Sequence, residues 1–279
     1  MKTWFITGSS SGFGRILTEK LLKRGDRVAA TLRKVNALDD LKEQYGDQLW
    51  TAKLDITDTA EIRKVVDLAF AQLGKIDVMV NNAGYALFCA VEEASDEQIL
   101  QQINTNIIGS IQVIRAILPH FRTQGGGRIL QLSSAGGQTT YPNFSYYHAT
   151  KWALEGFSET IAKEIAPFNI GLTIVEPGAT KTSFVSAMVT APVMEEYDQT
   201  PAGDVRRAVL ANAFPINGDA QKAVQAIIDS TDVSPAPLRL ALGSDAYNDM
   251  LENLISRKEA LEAQKSIAFA IVRDPENLY

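Results

Sequence analysis

The chain has 279 residues, of which 46% are hydrophobic and 22% charged, an ordinary composition for a soluble protein. The formal net charge of −6 argues against a general nucleic-acid-binding surface. The single cysteine, Cys89, excludes an intrachain disulfide, and no run approaches the ~20 apolar residues of a membrane span. The N-terminus opens directly on a strand-like run, so we expect a cytoplasmic protein without a signal peptide.

Short apolar runs alternate with amphipathic runs along the chain. The alternation predicts an α/β fold with a doubly wound, Rossmann-type parallel sheet of about seven strands and helices on both faces. No repeat or linker interrupts it, so we expect one domain over residues 1–279. Strands are predicted near 3–7, 27–32, 49–53, 76–80, 128–133, 170–175 and 238–242. Helices are predicted near 12–24, 37–44, 58–73, 96–121, 148–166, 219–230 and 245–265.

A glycine-rich turn joins the first predicted strand to the first predicted helix. Glycines there let the backbone turn sharply and approach a pyrophosphate, which the amides and dipole of the helix N-terminus hold. The spacing is G-x-x-x-G-x-G, which differs from the generic G-x-G-x-x-G pattern. The position between strand and helix predicts a nucleotide-binding turn made by Gly8, Ser10, Ser11, Gly12, Phe13 and Gly14.

The residues after the second predicted strand bear on the choice of cofactor. Folds that select NAD carry an acidic residue there, whereas this chain has Leu32 followed by Arg33. A guanidinium matches a 2′-phosphate in shape and charge. We therefore predict NADP(H) in preference to NAD(H), with Arg33 as the main contact and Arg15 as a weaker candidate. The alternative is that Arg33 and Lys34 are solvated loop charges.

The ends of the third and fourth predicted strands carry further candidates. Asp55 and Ile56 are predicted to contact the adenine ring, although Asp55 could equally cap the next helix. After the fourth strand, a small polar turn lies where ligands bind in open α/β sheets. Asn81 there could brace the sheet, and a plain turn is the alternative reading. The predicted cofactor contacts in this turn are Asn82, Ala83 and Gly84.

Asn106 lies inside a long apolar helical run. An asparagine in such a run competes with its own backbone for hydrogen bonds, which predicts a local kink. A surface asparagine is the alternative.

The stretch from Ser134 to Lys151 contains the main catalytic candidates. Tyr147 and Lys151 are four positions apart, so in a helix they share one face. A tyrosine titrates near ~10, and a nearby positive charge favours the phenolate. We therefore expect Lys151 to lower the pKa of Tyr147 toward the working pH, where proton exchange is more efficient. Ser134, at the end of the preceding strand, could hold a substrate oxygen beside the phenol.

The sixth predicted strand ends at Pro177-Gly178, where both residues break the strand. The loop beyond it is predicted to hold a nicotinamide amide through the backbone of Thr180 and a phosphate through the hydroxyl of Thr182. The irregular segment at about 183–216 is predicted to be a mobile substrate lid. A C-terminal extension follows at about 245–279.

Together these motifs resemble the short-chain dehydrogenase/reductase family over about residues 3–245. The resemblance chooses Ser134 over Ser133, because the family's serine precedes its tyrosine by 13 positions, and Tyr147 over Tyr146, because only Tyr147 has the lysine. It implies proton exchange by Tyr147, a substrate oxygen oriented by Ser134, nicotinamide ribose held by Lys151, and a proton-relay water held by Asn106. It also implies a homodimer or homotetramer formed by the helices near 96–121 and 148–166.

The resemblance implies an NADP(H)-dependent oxidoreductase acting on a small-molecule carbonyl or secondary alcohol, without a metal. Aromatic residues near the site in sequence suggest a mainly apolar pocket and a hydrophobic substrate. They are Tyr85, Phe88, Tyr141, Phe144 and Tyr146. The main alternative is a catalytically silent NADP-binding sensor or scaffold of the same fold. A sugar-nucleotide epimerase of the extended branch fits a chain of 279 residues poorly.

Overall fold

The computed structural model describes residues 1–211, 213 and 215–272. Asn212 and Phe214 of the predicted lid, and residues 273–279 of the predicted C-terminal extension, lie outside the described residues. Within the described residues, no helix is long and apolar enough to cross a membrane.

A seven-stranded parallel sheet forms the centre of the molecule. Its strands are β1 (Thr3–Thr7), β2 (Arg27–Leu32), β3 (Leu49–Lys53), β4 (Val78–Asn81), β6 (Gly127–Leu132), β7 (Ile170–Pro177) and β9 (Arg239–Leu242), in the order β3-β2-β1-β4-β6-β7-β9. This order confirms the doubly wound, Rossmann-type fold. A separate pair of short parallel strands joins β5 (Leu87–Phe88) to β8 (Val189–Thr190).

Helices cover both faces of the sheet, because side chains along each strand alternate between two hydrophobic cores. The helices are α1 (Gly12–Lys23), α2 (Asp39–Tyr45), α3 (Thr59–Leu73), α4 (Asp96–Ile103), α5 (Ser110–Thr123), α6 (Ser145–Ile165), α7 (Pro201–Leu210), α8 (Ala220–Ser230), α9 (Ser244–Ala263) and α10 (Lys265–Ala270). From β1, Phe5 enters the core beneath α3, α5 and α6, whereas Trp4 and Ile6 enter the core beneath α1 and α8.

Helical backbone covers the run predicted near 96–121 and continues to Thr123, with one irregularity. A wider π-type turn, Asn104–Gly109, separates α4 from α5. Gly109 lies in this turn, and a Cβ there would come within 2.6 Å of the Ile56 carbonyl oxygen. The extra residue in the turn therefore lets the helix backbone pass close to the loop after β3. The prediction of a local kink at Asn106 is confirmed.

The structure also contains elements that the sequence patterns did not indicate. They are β5, β8, α7 and α10. The first three lie in or next to the predicted lid. The sequence there has no clear apolar period, and contacts with the rest of the protein stabilise these elements.

One arginine joins three glutamates behind the sheet edge. The Arg239 guanidinium bonds Glu176 Oε1 at 2.6 Å and Glu159 Oε2 at 3.0 Å, and it also bonds Glu155. Glu155 and Glu176 are buried, so they depend on this cation for compensation. The network ties α6, β7 and β9 together.

We predict that Arg239→Met lowers the free energy of unfolding by about 3–5 kcal/mol at pH 7, because it leaves buried carboxylates without their cation. Burial already raises the pKa of Glu155, so the folded state takes up a proton there more readily than the unfolded chain. The loss should therefore be smaller at an acidic pH than at pH 7, because protonation of Glu155 removes the charge that Arg239 compensates. Denaturant unfolding at both pH values measures it.

Arg207→Met is the matched control, because Arg207 pairs at the surface with Asp198 and Asp204. Exposed pairs contribute ~1 kcal/mol or less, so this variant should unfold nearly like the parent protein. Equal losses in the two variants would contradict the assignment of Arg239 as a structural cation.

Candidate active site

The carboxyl ends of β1, β4 and β6 meet at one edge of the sheet, because these neighbouring strands are parallel. Each strand leads into one of the predicted motifs. β1 leads into the glycine turn, β4 into the Asn82–Gly84 turn, and β6 into Ser134. The sheet therefore brings together residues that are far apart in the sequence.

The glycine turn is packed tightly against the turn after β4. Gly8 has φ +70°, and a Cβ on Gly14 would come within 2.3 Å of the Gly8 carbonyl oxygen. Asn82 Nδ2 donates to the carbonyls of Thr7 at 2.9 Å and Gly8 at 3.1 Å. The Thr7 hydroxyl oxygen accepts from the backbone N–H groups of Asn82 and Ala83, both at 3.0 Å. Asn82 and Thr7 thus brace the turn.

The N-terminus of α1 has room for a phosphate. Gly12 has φ +54°, and a Cβ there would meet only Thr182 Cβ, at 4.0 Å. Ser11 is the N-cap of α1, but its side chain makes no capping hydrogen bond. Open space beside helix N-terminal amides suits an anion, and the Thr182 hydroxyl lies at its far side. The residues present therefore fit a dinucleotide pyrophosphate.

The two cationic candidates differ in their surroundings. Arg15 pairs with Glu19 and Asp40 and donates to the Ala37 carbonyl, so its guanidinium is engaged within the protein. Arg33 is exposed. Hydrogen bonds from Thr57 hold the pKa of Asp55 below its usual value, and the charge of Arg33 adds to this effect. Arg33 therefore lies near Asp55, on the side of the sheet edge where the adenosine end is predicted.

Asp55 does not cap the following helix, so that alternative is wrong. Asp58 caps α3, accepting from the backbone N–H groups of Ala60 and Glu61. Asp55 Oδ1 instead accepts from the Thr57 amide and hydroxyl. Ile56 is buried in the core cluster beneath α3 and α5, so little of its side chain is left to pack against an adenine ring.

Ser134, Tyr147 and Lys151 lie together where β6 and α6 meet. Ser134 is the second residue after β6, and its Oγ accepts a hydrogen bond from the Gly136 N–H at 3.1 Å. Tyr147 and Lys151 occupy the first turns of α6 and are buried. Lys151 Nζ donates to the carbonyl of Leu132, the last residue of β6, at 2.8 Å. Its ammonium also lies 5.6 Å from the centroid of the Tyr147 ring.

The expectation that Lys151 lowers the pKa of Tyr147 is wrong for this structure. Burial raises the pKa of Tyr147 to about 12, and the nearby Ser134 hydroxyl opposes this shift. Burial also lowers the pKa of Lys151 to about 8, against the opposing charge of Glu155. Removing the phenol from water disfavours the phenolate more strongly than a neighbouring amine can compensate. Tyr147 is therefore a protonated group at neutral pH.

Asn106 is a buried bracing residue, so the alternative of a surface asparagine is wrong. Its Nδ2 donates to the Tyr85 carbonyl at 2.9 Å and to the Thr150 hydroxyl at 3.0 Å. Its Oδ1 accepts a hydrogen bond from the Tyr85 N–H at 3.1 Å. The same oxygen would lie 3.1 Å from a Cβ at position 84, so Gly84 leaves space for it. The π-type turn is thereby fastened to α6 and to the turn after β4. The water relay expected at Asn106 stays a prediction.

The loop after β7 is held by one carboxylate. Asp245 Oδ2 accepts from the Ala179 N–H at 2.6 Å, and a Cβ on Gly178 would come within 2.4 Å of its oxygens. The Thr180 hydroxyl donates to the Gly178 carbonyl at 3.1 Å. Together with Pro177 at the end of β7, these contacts fix the loop that carries Thr182 toward the glycine turn.

The predicted lid is fastened to the protein beside the site. The ring of Phe184 lies 5.6 Å from that of Tyr147, and β8 pairs with β5. Farther along, Arg206 of α7 binds Glu93 through two contacts of 2.6 Å, and both side chains are largely buried. The lid thus covers the phenol with an aromatic ring and is anchored on both sides of it.

Several supporting residues were not indicated by the sequence. Asp245 and the Glu93–Arg206 pair act through contacts between distant segments, so no local spacing reveals them. Thr7 is the first residue of the glycine motif, but its bonds to the turn after β4 are not visible in the sequence. Tyr146 makes a different contact from its neighbour, since its half-buried side chain donates to the Val91 carbonyl.

Comparisons with known proteins agree with this architecture. Residues 2–192 match the family model for short chain dehydrogenases. An oxidoreductase of Botryotinia fuckeliana, BOA17, is 34% identical over 96% of this chain and 99% of its own length. A short-chain dehydrogenase of Streptomyces avermitilis is 37% identical, with a TM-score of 0.90 over 98% of this chain and 100% of its own.

Two solved structures of similar fold contain nicotinamide dinucleotides. A serine dehydrogenase complexed with NADP+ is 28% identical, with a TM-score of 0.72 over 86% of this chain and 93% of its own. A family structure from Burkholderia phymatum, complexed with NAD, is 20% identical, with a TM-score of 0.80 over 94% of this chain and 95% of its own. Given the family match and the full-length relatives, this chain belongs to the short-chain dehydrogenase/reductase family of oxidoreductases.

Proposed function

We propose that the protein transfers hydride between NADP(H) and the carbonyl or secondary alcohol of a mainly apolar small molecule. The observation that carries this proposal is the placement of Ser134, Tyr147 and Lys151 at the same sheet edge as the glycine turn. A buried phenol, a hydroxyl and an ammonium beside a dinucleotide cradle are the groups that carbonyl reduction needs.

The bound nicotinamide supplies the hydride, and the protein supplies the proton and the orientation. Tyr147 Oη holds its proton at neutral pH and donates it to the carbonyl oxygen during reduction. The Ser134 hydroxyl donates a hydrogen bond to the same oxygen and fixes its position. Lys151, held by the Leu132 carbonyl, presents its remaining N–H donors to ribose hydroxyls and places positive charge beside the phenol.

The residues that would hold the cofactor follow the sheet edge. The pyrophosphate would lie against Ser10, Ser11, Gly12 and Phe13, with Gly8 and Gly14 shaping the turn and Thr182 opposite. Arg33 would bind the 2′-phosphate, and Asp55 the adenine amino group. Ala83, Gly84, Gly178 and the backbone of Thr180 would line the nicotinamide end. The lone cysteine is buried, which suits a reducing compartment such as the cytoplasm.

Aromatic packing around the phenol supports an apolar substrate. Phe144 and Phe184 lie 6.1 Å and 5.6 Å from the Tyr147 ring, and Phe88 lies 4.9 Å from Phe144. A substrate reaching the phenol must pass these rings, and an apolar molecule gains most from contact with them. A sensor without catalysis would need none of the three catalytic groups, which favours an enzyme.

We predict that Tyr147→Phe lowers kcat at least about 100-fold, because the general acid is lost. Binding of NADPH should change little, since Phe keeps the ring. Turnover is measured as NADPH oxidation across a panel of apolar ketones, and binding by nicotinamide fluorescence. Tyr146→Phe is the matched control and should keep its activity, because its hydroxyl bonds the Val91 carbonyl. Parent-like turnover by Tyr147→Phe would remove Tyr147 from the role of acid.

We predict that the parent protein has a higher kcat/KM with NADPH than with NADH, and that Arg33→Ala lowers this ratio about 10-fold or more. The reason is the loss of a charge-assisted hydrogen bond to the 2′-phosphate. Lys34→Ala removes the neighbouring exposed charge and should lower the ratio much less. An unchanged ratio in Arg33→Ala, or equal effects in the two variants, would contradict the role given to Arg33.

We predict that kcat/KM for carbonyl reduction falls as the pH rises above about 8, because Lys151 loses its positive charge at that pH. The ratio kcat/KM is the appropriate measure, since it reports the titration of groups in the free enzyme. The pKa of Lys151, lowered to about 8 by burial, sets this limit. Lys151→Arg carries a guanidinium that stays charged, so its decline should move to higher pH even if its rate is lower. The same alkaline decline in both proteins would exclude Lys151 as its source.

A further inference from the structure

The C-terminal helices are largely exposed to solvent, and Arg257 of α9 lies 4.9 Å from the centroid of the Trp152 ring of α6. The first turns of α9 are packed, since Ala246 and Met250 are buried with Ala135. From Leu254 to Val272, every residue is exposed. We call residues 247–272 the C-terminal arm. A helix surrounded by water is only marginally stable on its own, so a surface that packs against the arm would stabilise it.

The arm carries an apolar seam at a regular spacing. Tyr247, Leu251, Leu254 and Leu261 follow intervals of four, three and seven residues, and their exposed fractions range from 43% to 71%. This is the a/d spacing by which two helices pack along one another. Ile255 flanks the seam, and α10 and the residues after it expose Ile267, Phe269, Ile271 and Val272.

The arm exposes nine large apolar side chains, each by 43% to 83%. Each partner of a standard interface buries about 800 Å², polar atoms included, so side chains of this number and size can form much of one. Monomeric proteins rarely expose a contiguous apolar patch larger than a few hundred Å².

The charges of the arm favour a second copy over a lipid surface. Between Leu251 and Val272, the acidic residues Glu252, Glu259 and Glu262 are matched by Arg257, Lys258 and Lys265. Helices that lie on membranes carry a polar face rich in lysine and arginine, which this balanced pattern lacks. Alternating charges of both signs complement the same pattern on an identical helix.

The helices expected to form the interface offer less apolar surface. Among the residues described in α4, the π-type turn, α5 and α6, the exposed large hydrophobic side chains are Leu100 and Ile108. The C-terminal arm therefore exposes more large apolar side chains than these helices do.

We propose that the C-terminal arm is a self-association surface, on which two copies of the chain pair arm to arm about a two-fold axis. The seam of each arm is buried against the seam of the other, and the flanking charges pair across the contact. The catalytic edge of the sheet contributes no residue to this contact.

The test is the mass of the full chain in solution, measured by sedimentation equilibrium at micromolar concentration. We expect Leu254→Glu/Leu261→Glu to raise the dissociation constant of the dimer at least about 30-fold, as loss of central interface side chains does. Leu100→Glu/Ile108→Glu is the matched control and should keep the mass of the parent protein. Circular dichroism and NADPH binding check that each variant is folded.

Crosslinking gives a second readout, because the only native cysteine, Cys89, is buried and burial raises its pKa to about 11. Leu254→Cys, Lys258→Cys and Leu261→Cys are each treated with a short bismaleimide. An arm-to-arm dimer yields a covalent dimer from at least one of them. Ser256→Cys, placed off the seam, should yield less.

Three results would overturn the proposal. One is a parent protein that is monomeric in solution. A monomer that sediments with vesicles of phosphatidylcholine and phosphatidylserine counts in the same way, since the arm would then bind lipid. Another is a dimer that persists in the arm variant but dissociates in the Leu100→Glu/Ile108→Glu control. The third is a dimer in which none of the three engineered cysteines, at positions 254, 258 and 261, crosslinks.

Discussion

Parallel pairing of β1, β4 and β6 is the constraint on which the candidate site depends. It aligns three strand ends, and each end continues into a turn that carries part of the chemistry. Hydrogen bonds from Asn82 and to Thr7 then join the first two turns, and the bond from Lys151 to the Leu132 carbonyl joins α6 to the third. The positions of the glycine turn, the phenol and the ammonium therefore follow from the sheet.

The electrostatics of the site follow from burial more than from neighbouring charges. Tyr147 and Lys151 are both removed from water, and each is displaced toward its neutral form. A neutral phenol is suited to giving a proton, which is the step that carbonyl reduction requires. The tyrosine–lysine spacing correctly indicated which residues come together, but spacing alone carries no measure of the desolvation that each of them experiences.

Local patterns were sufficient to predict the seven strands and most of the helices. Apolar alternation and breaks at glycine or proline are visible within short contiguous segments of the sequence. They failed where distant contacts decide. An irregularity at Asn106 was predictable, but its π-type form involves bonds to Tyr85 and Thr150 that the sequence does not show, and α7 is anchored by Arg206 binding Glu93. Ile56 follows β3 and its side chain joins the core beneath α3 and α5, while its contact with an adenine ring stays a prediction.

The fastening of the lid has a consequence for how such a protein can change. The three residues to which we assign the chemistry, Ser134, Tyr147 and Lys151, lie just after β6 and in the first turns of α6. Phe184, which packs against Tyr147, belongs to a segment held through β5, β8 and the Glu93–Arg206 pair. In the proposed enzyme, the segment that would select the substrate is therefore separate from the residues that would transfer the proton. We expect that substitutions in the segment around Phe184 change which molecules enter the site and leave the position of Tyr147 unchanged.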